Sequence, residues 1–513
     1  MIDKVCSFLS QAAYGLYGLL FGFILYSVIF NNVSYTYDVN VLVKDMVSII
    51  GILLLVAFIY SRFSGIFLKC RYFILAGVCI AVFAAQYNVG INVVHAAIYD
   101  HERVLNGAML WAQGITGEEF VPYSNYIHYY TNNIGLFMVQ QWLFRTVAAF
   151  GFTNFYEVAI FTGHILFSVM IIASFMYLDE NISGHRALFF LLAICMFPPL
   201  YFQSSISYTD TWSVWGIPCM LLFISRGIRS EKMGWKIFYG VISALLMTVA
   251  VKIKTTVAIV VIALFIQTLV HNLTKKNVAF FAVLLAVFVT GSNLFTQWTY
   301  STVRDKTRDI EAMPLTHWIM MGLQGDGSYN GSDEHRITLS VPPEKRVEKN
   351  LEIIQQRLED MGTDGYMQLL YRKTCRTFGS GNAEVYYTFK YDTEFVTPFN
   401  FVYETTLEDG RYYPEFNKRS QAVYVSSIAL GVVGALLAAI RKKEHGNFAP
   451  HIALIGFWLF MMLWESNHRQ LINQWSLFFI VAAIGLYNIT DVLFHFKTGK
   501  TDKTETVTTD SRL

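Results

Sequence analysis

The chain has 513 residues, of which 54% are hydrophobic, 16% aromatic and only 15% charged. Soluble globular proteins carry roughly a quarter charged residues and disordered chains are poor in Phe, Tyr, Leu and Ile, so both classes are excluded. With 39 Lys and Arg against 37 Asp and Glu the formal charge is +2, which argues against nucleic acid as the main partner.

A membrane span needs about 20 mostly apolar residues, because the hydrocarbon core is roughly 30 Å thick and a helix rises about 1.5 Å per residue. About twelve windows qualify: 12–30, 46–61, 72–88, 156–177, 187–203, 211–225, 237–251, 255–271, 278–296, 421–440, 450–464 and 473–493. The first lacks a small-residue cleavage site and is expected to remain as a span. The expected fold is an all-α polytopic membrane protein of about 12 transmembrane helices, with interfacial helices and a mixed external domain. Its expected divisions are N-terminal spans (1–88), a first external loop (89–155), a transmembrane core (156–296), an external domain (297–420), C-terminal spans (421–493) and a cytoplasmic tail (494–513).

Orientation follows from where the cations collect, since short cytoplasmic loops hold the excess of Lys and Arg. Arg62, Lys69, Arg71, Arg186, Arg226, Arg229, Lys232, Lys236, Lys275, Lys276, Arg441, Lys442 and Lys443 fall on one side of the windows, with Lys497 and Lys500 in the tail. The opposite short loops, 31–45 and 204–210, hold only Lys44. Segments 89–155, 297–420 and WESNHRQ (464–470) are thereby placed outside. The stretch 134–152 is apolar but interrupted by Gln140, Gln141 and Arg145. As a span it would invert every later loop, so it is expected to lie in the outer interface. The segment 347–362 has a helical period, with Leu351, Ile354 and Leu358 on one side. The six cysteines show no CxxC and no zinc spacing, and are expected to be packing residues or free thiols.

The polar chemistry lies on the outer side. In YDHERVLNGA (99–108), Asp100 and Glu102 begin a helical pattern after the third window. Acids held beside an apolar wall can serve as general bases, and acids are also simply favourable at a helix start. YSNYIHYYTNNIG (123–135) sets Tyr130 beside Asn132 and Asn133, a combination suited to stacking on a sugar ring and bonding its hydroxyls, or to an interfacial aromatic belt. Asp210 in SYTD is a helix-cap type in its own right. Lys252 and Lys254 in KIKTT interrupt an apolar run, and ionisable groups at such depth are functional candidates, with snorkelling as the alternative. They suit a phosphate at the bilayer surface, with Arg469 of WESNHRQ as a bidentate companion. PLTHWIMMGLQGDGSYNGSD (314–333) places His317 and Trp318 before a Gly-rich stretch. No HExxH, P-loop or GxSxG supports metal, nucleotide or serine-hydrolase chemistry.

In this order, the early acid, YTNNIG, YTD, KTT, PLTHWIMMGLQGDGSYN, RLEDMGTDGYMQLLYRKT and ESNHRQ resemble the integral-membrane glycosyltransferases of GT-C architecture. More narrowly, the chain resembles the family 39-like proteins of Gram-positive bacteria that use polyprenyl-phosphate sugars, over about residues 95–490. The resemblance implies that Asp100 is the acid that deprotonates the acceptor, with Glu102 a second acid. It puts Lys254, Lys252 and Arg469 near the lipid phosphate, and Asp210 and His317 at substrate-binding positions. Thr131 stands where a Pro is usual before the paired Asn, and Glu102 is not adjacent to Asp100 as in the Asp-Glu pair of protein mannosyltransferases.

The expected function is transfer of a sugar from a polyprenyl-phosphate donor to an extracytoplasmic cell-envelope acceptor, by single displacement with inversion. The expected enzyme is multi-pass, uses no cofactor or metal, and has the bilayer as its remaining partner. A flippase or transporter of lipid-linked sugars is the alternative from another class, although transporters concentrate charge at the midplane on broken helices. A polysaccharide polymerase or ligase would need a lipid diphosphate donor.

Overall fold

The computed structural model describes residues 2–30, 38–95, 99–441 and 447–494. Lys442, Lys443, Lys497, Lys500 and the greater part of the 494–513 tail lie outside the described residues, as do 31–37 of the first loop. The N-terminal helices are α1 (Ile2–Phe30), α2 (Val39–Lys69) and α3 (Arg71–Gly90). The first polar segment folds as α4 (Tyr99–Ala112), α5 (Val121–Tyr129) and α6 (Ile134–Ala148). The central bundle follows with α7 (Phe155–Asn181), α8 (Gly184–Cys195), α9 (Pro199–Phe202), α10 (Thr209–Trp212), α11 (Gly216–Arg229), α12 (Met233–Ile253), α13 (Ala258–His271) and α14 (Lys275–Thr302). The second polar segment contains α15 (Leu315–Met321), α16 (Arg346–Phe378), α17 (Val385–Asp392) and α18 (Phe401–Thr406). The chain returns to the bundle with α19 (Tyr413–Arg441), α20 (Ala449–Leu463) and α21 (Trp475–Phe494).

Every apolar window is helical, but not every window is a full span. Eight helical stretches among the described residues are long and apolar enough to cross a bilayer, and the pair α8 and α9, bent by 79°, makes a ninth. Of the expected count of about twelve, up to nine are met among the described residues, and the remaining windows are 211–225, 255–271 and 450–464. There α11, α13 and α20 have 14, 14 and 15 residues, about 22 Å of helix at most. The bend between α8 and α9 falls at Pro198 and Pro199, which lack the amide hydrogen a continuing helix needs and crowd the preceding turn.

The main core gathers Tyr14, Phe21, Phe167, Phe190 and Trp475, all at most 2% exposed, from α1, α7, α8 and α21. A second core packs α4, α5 and α6 on the ends of α12 and α14 through Leu105, Phe137, Phe144, Ile253 and Phe295. α6 is therefore more than a surface helix. Residues 134–138, Gln140 and Gln141 are buried, while Trp142 and Phe150 remain exposed on the other side.

The second polar segment is mostly helical. Its strand content among the described residues is one antiparallel ribbon, β1 (Val93–His95) against β2 (Thr393–Phe395), with Val94 opposite Glu394. α16 kinks at Gly362, where φ is +56°. The apolar stripe expected in its first half is present but uncovered: Leu351 and Leu358 are 51% and 41% exposed. At the far end of α7, Asp179 bonds Arg71 at 2.8 Å and Glu180 gathers Arg226 and Arg229 at 2.9 and 3.1 Å. Arg71, Arg226 and Arg229 thus collect at the end of α7 away from α4 and α6.

Gly135 fixes how closely α6 meets α12. A Cβ there would lie 1.8 Å from the carbonyl oxygen of Lys252, an impossible approach to rigid backbone. Gly135→Ala is expected to destabilise the protein by about 2 kcal/mol or more through overpacking, read as a lowered thermal midpoint of the purified protein in detergent.

Candidate functional site

The site is built around Asp210. The bend at Pro198 and Pro199 turns the chain inward, and α10 carries the carboxylate into the interior, where the residue is 0% exposed. The short turn is locked by Thr211, whose hydroxyl donates to the carbonyls of Ile206 and Tyr208 at 2.6 and 3.0 Å. A buried carboxylate is costly unless it is paired. Lys254 Nζ lies 2.5 Å from Oδ1 and Arg469 Nε 3.1 Å from Oδ2.

Both cations sit at breaks in helices. Lys254 caps α12 with an extended backbone before the 3-10 turn Thr255–Val257, which Asn473 secures by donating to the Thr256 hydroxyl at 2.8 Å. Arg469 lies in the 3-10 turn His468–Gln474, where the Asn467 side chain caps its amide at 2.8 Å. The Arg469 guanidinium also faces His101 Nε2 at 3.2 Å and stacks over the Tyr208 ring at 4.6 Å.

Tyr208 carries the network to the acid of α4. Its hydroxyl is 3.4 Å from both Asp100 Oδ2 and Asn133 Oδ1. Asn133 Nδ2 donates to the Tyr126 hydroxyl at 2.5 Å, and that hydroxyl bonds Asp100 in turn. Burial first, then the Asp100 charge, pushes both tyrosines well above their ordinary range, so they stay neutral donors that orient the carboxylate. Asp100, Arg469, Asp210 and Lys254 are therefore linked residue to residue.

Two more acids face the cluster. Glu465, in the turn before Arg469, feels Arg469, Asp100, Lys254 and Glu384, and burial pushes its carboxyl up to about 7. Glu384 sits in the left-handed region at φ +62° after Ala383 at +49°. Its carboxyl is 3.4 Å from Arg376, yet burial raises it above the ordinary carboxylate range.

The other residues singled out by sequence lie elsewhere. Glu102 is two residues from Asp100, which on a helix turns it to another face; there it bonds Tyr123. Lys252 points to α14, 3.2 Å from the Thr296 hydroxyl and over the Phe295 ring. Tyr130 donates to Glu334, as does Tyr329 at 2.9 Å. Asn132 is exposed, 3.5 Å from Asn133. His317 is buried, with Nδ1 2.8 Å from the Thr338 hydroxyl, and burial lowers its basicity, so it is a neutral packing residue. Conversely, Tyr208, His101 and Glu465 adjoin motif residues and were missed, while Glu384 has no local signal beyond the glycines of FGSGNAE. Among the described residues no cluster of three His, Cys, Asp or Glu could hold a metal ion.

Fold and site together define an all-α, multi-pass integral membrane protein with a charged cluster at the ends of its helices. Residues 7–489 match the family described as "Conserved hypothetical integral membrane protein", and the chain belongs to that family. No curated protein matches. Among solved structures, the chain is similar to ArnT from Cupriavidus metallidurans in the apo state, at 13% identity and a TM-score of 0.33, covering 82% of this chain and 78% of that one. It is also similar to ArnT from the same organism bound to undecaprenyl phosphate, at 14% identity and a TM-score of 0.31, covering 82% and 77%. Likeness at that level carries no functional weight, so function is argued from the cluster itself.

Breaking a buried ion cluster by neutralising one member typically costs 3–5 kcal/mol, less here because Lys254 and Arg469 are 18% and 24% exposed. Asp210→Asn is expected to lose about 2 kcal/mol, read by thermal unfolding in detergent, with a smaller loss in high salt than at low salt.

Proposed function

We propose that this chain is a membrane glycosyltransferase that moves a sugar from a polyprenyl-phosphate donor to an extracytoplasmic acceptor, a cell-envelope polymer or glycolipid. The observation that carries this function is the linked run from Asp100 through Tyr208 and Arg469 to Asp210 and Lys254. It links a carboxylate to two cations, the tools that displacement of a phosphate by a hydroxyl needs. The order of motifs along the sequence supports the same class, as does the placing of the cluster at the end of the bundle away from Arg71, Arg226 and Arg229.

Asp100 takes the acceptor's proton as its oxygen attacks the anomeric carbon. The sugar inverts in one displacement, and the electron pair of the breaking bond passes to the phosphate. Lys254 and Arg469 stabilise that charge as fixed, preorganised cations. Asp210 holds them together and halves their combined charge, so the pair meets a phosphate with net positive charge. Tyr208 and Tyr126 keep Asp100 aimed. A donor anchored by its lipid tail explains why the cations stand at helix ends inside a membrane protein instead of in a soluble cleft.

Sugar transfer from a defined polyprenyl-phosphate donor, measured in liposomes, tests this function. Asp100→Asn is expected to lower kcat about 100-fold or more. Lys254→Ala and Arg469→Ala are each expected to lower it about 100-fold, with binding of the bare lipid phosphate weakened as well. Full turnover in Asp100→Asn, or passage of the intact lipid-linked sugar across the bilayer with no bond broken, would overturn it.

A further inference from the structure

Lys373 of α16 is 0% exposed, and its ammonium donates to two backbone carbonyls, that of Trp464 at 2.7 Å and that of Gly322 at 2.9 Å. Burying an ammonium is costly, and neutral carbonyls offset that cost less well than a carboxylate would. An apolar side chain of similar length would fill the same space without the charge. What the charge adds is two strong, directional bonds, and they join the Gly-rich stretch 322–331 to the turn that follows α20.

The same turn is held from further points. The Ser466 amide donates to the Gly327 carbonyl at 2.7 Å, and His468 Nδ1 lies 3.4 Å from the Thr377 carbonyl. Thr377 stands one helical turn beyond Lys373 and shares its face of α16. Between them the Trp458 indole donates to the Thr374 hydroxyl at 3.1 Å, which ties α20 to the same helix. Glycine is required on the other side of the contact: a Cβ on Gly322 would sit 2.9 Å from the Trp464 oxygen, and one on Gly327, at φ +79°, 2.8 Å from Lys373 Cγ. The turn then closes on itself, with Gln470 Nε2 donating to the Glu465 carbonyl at 3.3 Å and the Arg469 amide donating to the Asn467 side chain at 2.8 Å. From this short, tethered run the Arg469 side chain reaches Asp210, His101 and Tyr208.

We propose that Lys373 is a positioning residue for the phosphate-binding cations: through the turn 464–468 it sets where the Arg469 guanidinium stands against Asp210. The proposal rests on the transfer function above, which gives Arg469 its lipid phosphate. Lys373 itself touches neither substrate nor reacting atoms. Its loss frees the turn from the Gly-rich stretch, and a displacement of about 1 Å at a group that must meet developing charge costs about 100-fold in rate. Because the effect runs through Arg469, it vanishes once that side chain is gone.

A double-mutant cycle on the purified full chain tests this. Lys373→Met keeps the stem and removes the donors. In liposomes with a polyprenyl-phosphate sugar it is expected to lower kcat about 10-fold or more, with KM for the acceptor unchanged, and to weaken binding of the bare polyprenyl phosphate in detergent. In the Arg469→Ala background the same substitution is expected to lower neither quantity further. Equal losses in both backgrounds, or wild-type kcat and binding in Lys373→Met, overturn the proposal and leave the transfer function standing. A coupled loss of lipid-phosphate binding in a chain that transfers no sugar supports the positioning role and overturns the transfer function. If Lys373→Met does not fold, Gly327→Ala, which disturbs the same turn from the Gly-rich side, replaces it in the cycle with the same expected outcomes.

Discussion

Everything at the site hangs on one buried carboxylate. Asp210 is enclosed, and the cost of removing a charge from water is met by two cations from distant parts of the chain, residues 254 and 469. Each is delivered by a helix that stops early: α12 yields to a 3-10 turn at Thr255, and α21 is preceded by another at His468. The ion cluster therefore ties together the bend after α8, the end of α12 and the start of the last helix. It also explains why Tyr208, two residues before Asp210, can join Arg469 to Asp100.

The all-α, multi-pass character was legible because bilayer thickness demands long apolar runs, and this sequence repeats them along most of its length. Their lengths were less so. The window at 211–225 is apolar because it packs inside the bundle, since burial in protein selects the same residues as contact with lipid, whereas those at 255–271 and 450–464 keep Ile262, Phe265, Leu459 and Leu463 exposed and are simply short. Periodicity in α16 correctly put Leu351 and Leu358 on one side but said nothing of what covers that side. The interruptions at Gln140 and Gln141 marked α6 as no ordinary span; in the fold Gln140 donates to the Ser207 hydroxyl at 2.8 Å, so its polarity serves an internal contact.

At the site, the residue types were readable and their directions were not. Asp100 and Glu102, and Lys252 and Lys254, are pairs two positions apart, and in each a helical rotation or a helix end sends the members to different neighbours. Which one faces the cluster depends on where the helix starts or stops, to the residue. His317 looked distinctive for standing in a motif, yet a histidine with a buried threonine partner is a packing device. Glu384 and Glu465 escaped because their surroundings come from elements up to several hundred residues away, and no local pattern encodes that encounter.

The bend at Pro198 and Pro199 has a further consequence for the backbone that follows it. Residues 203–213 follow it as an unbroken run of enclosed side chains, six of them hydroxyl-bearing Ser or Thr, and backbone that leaves the helix at membrane depth is tolerated only under such protein cover. A run of polar side chains is thereby enclosed within the bundle. Asp210 is held among hydroxyl-bearing neighbours inside the bundle instead of on an outer loop.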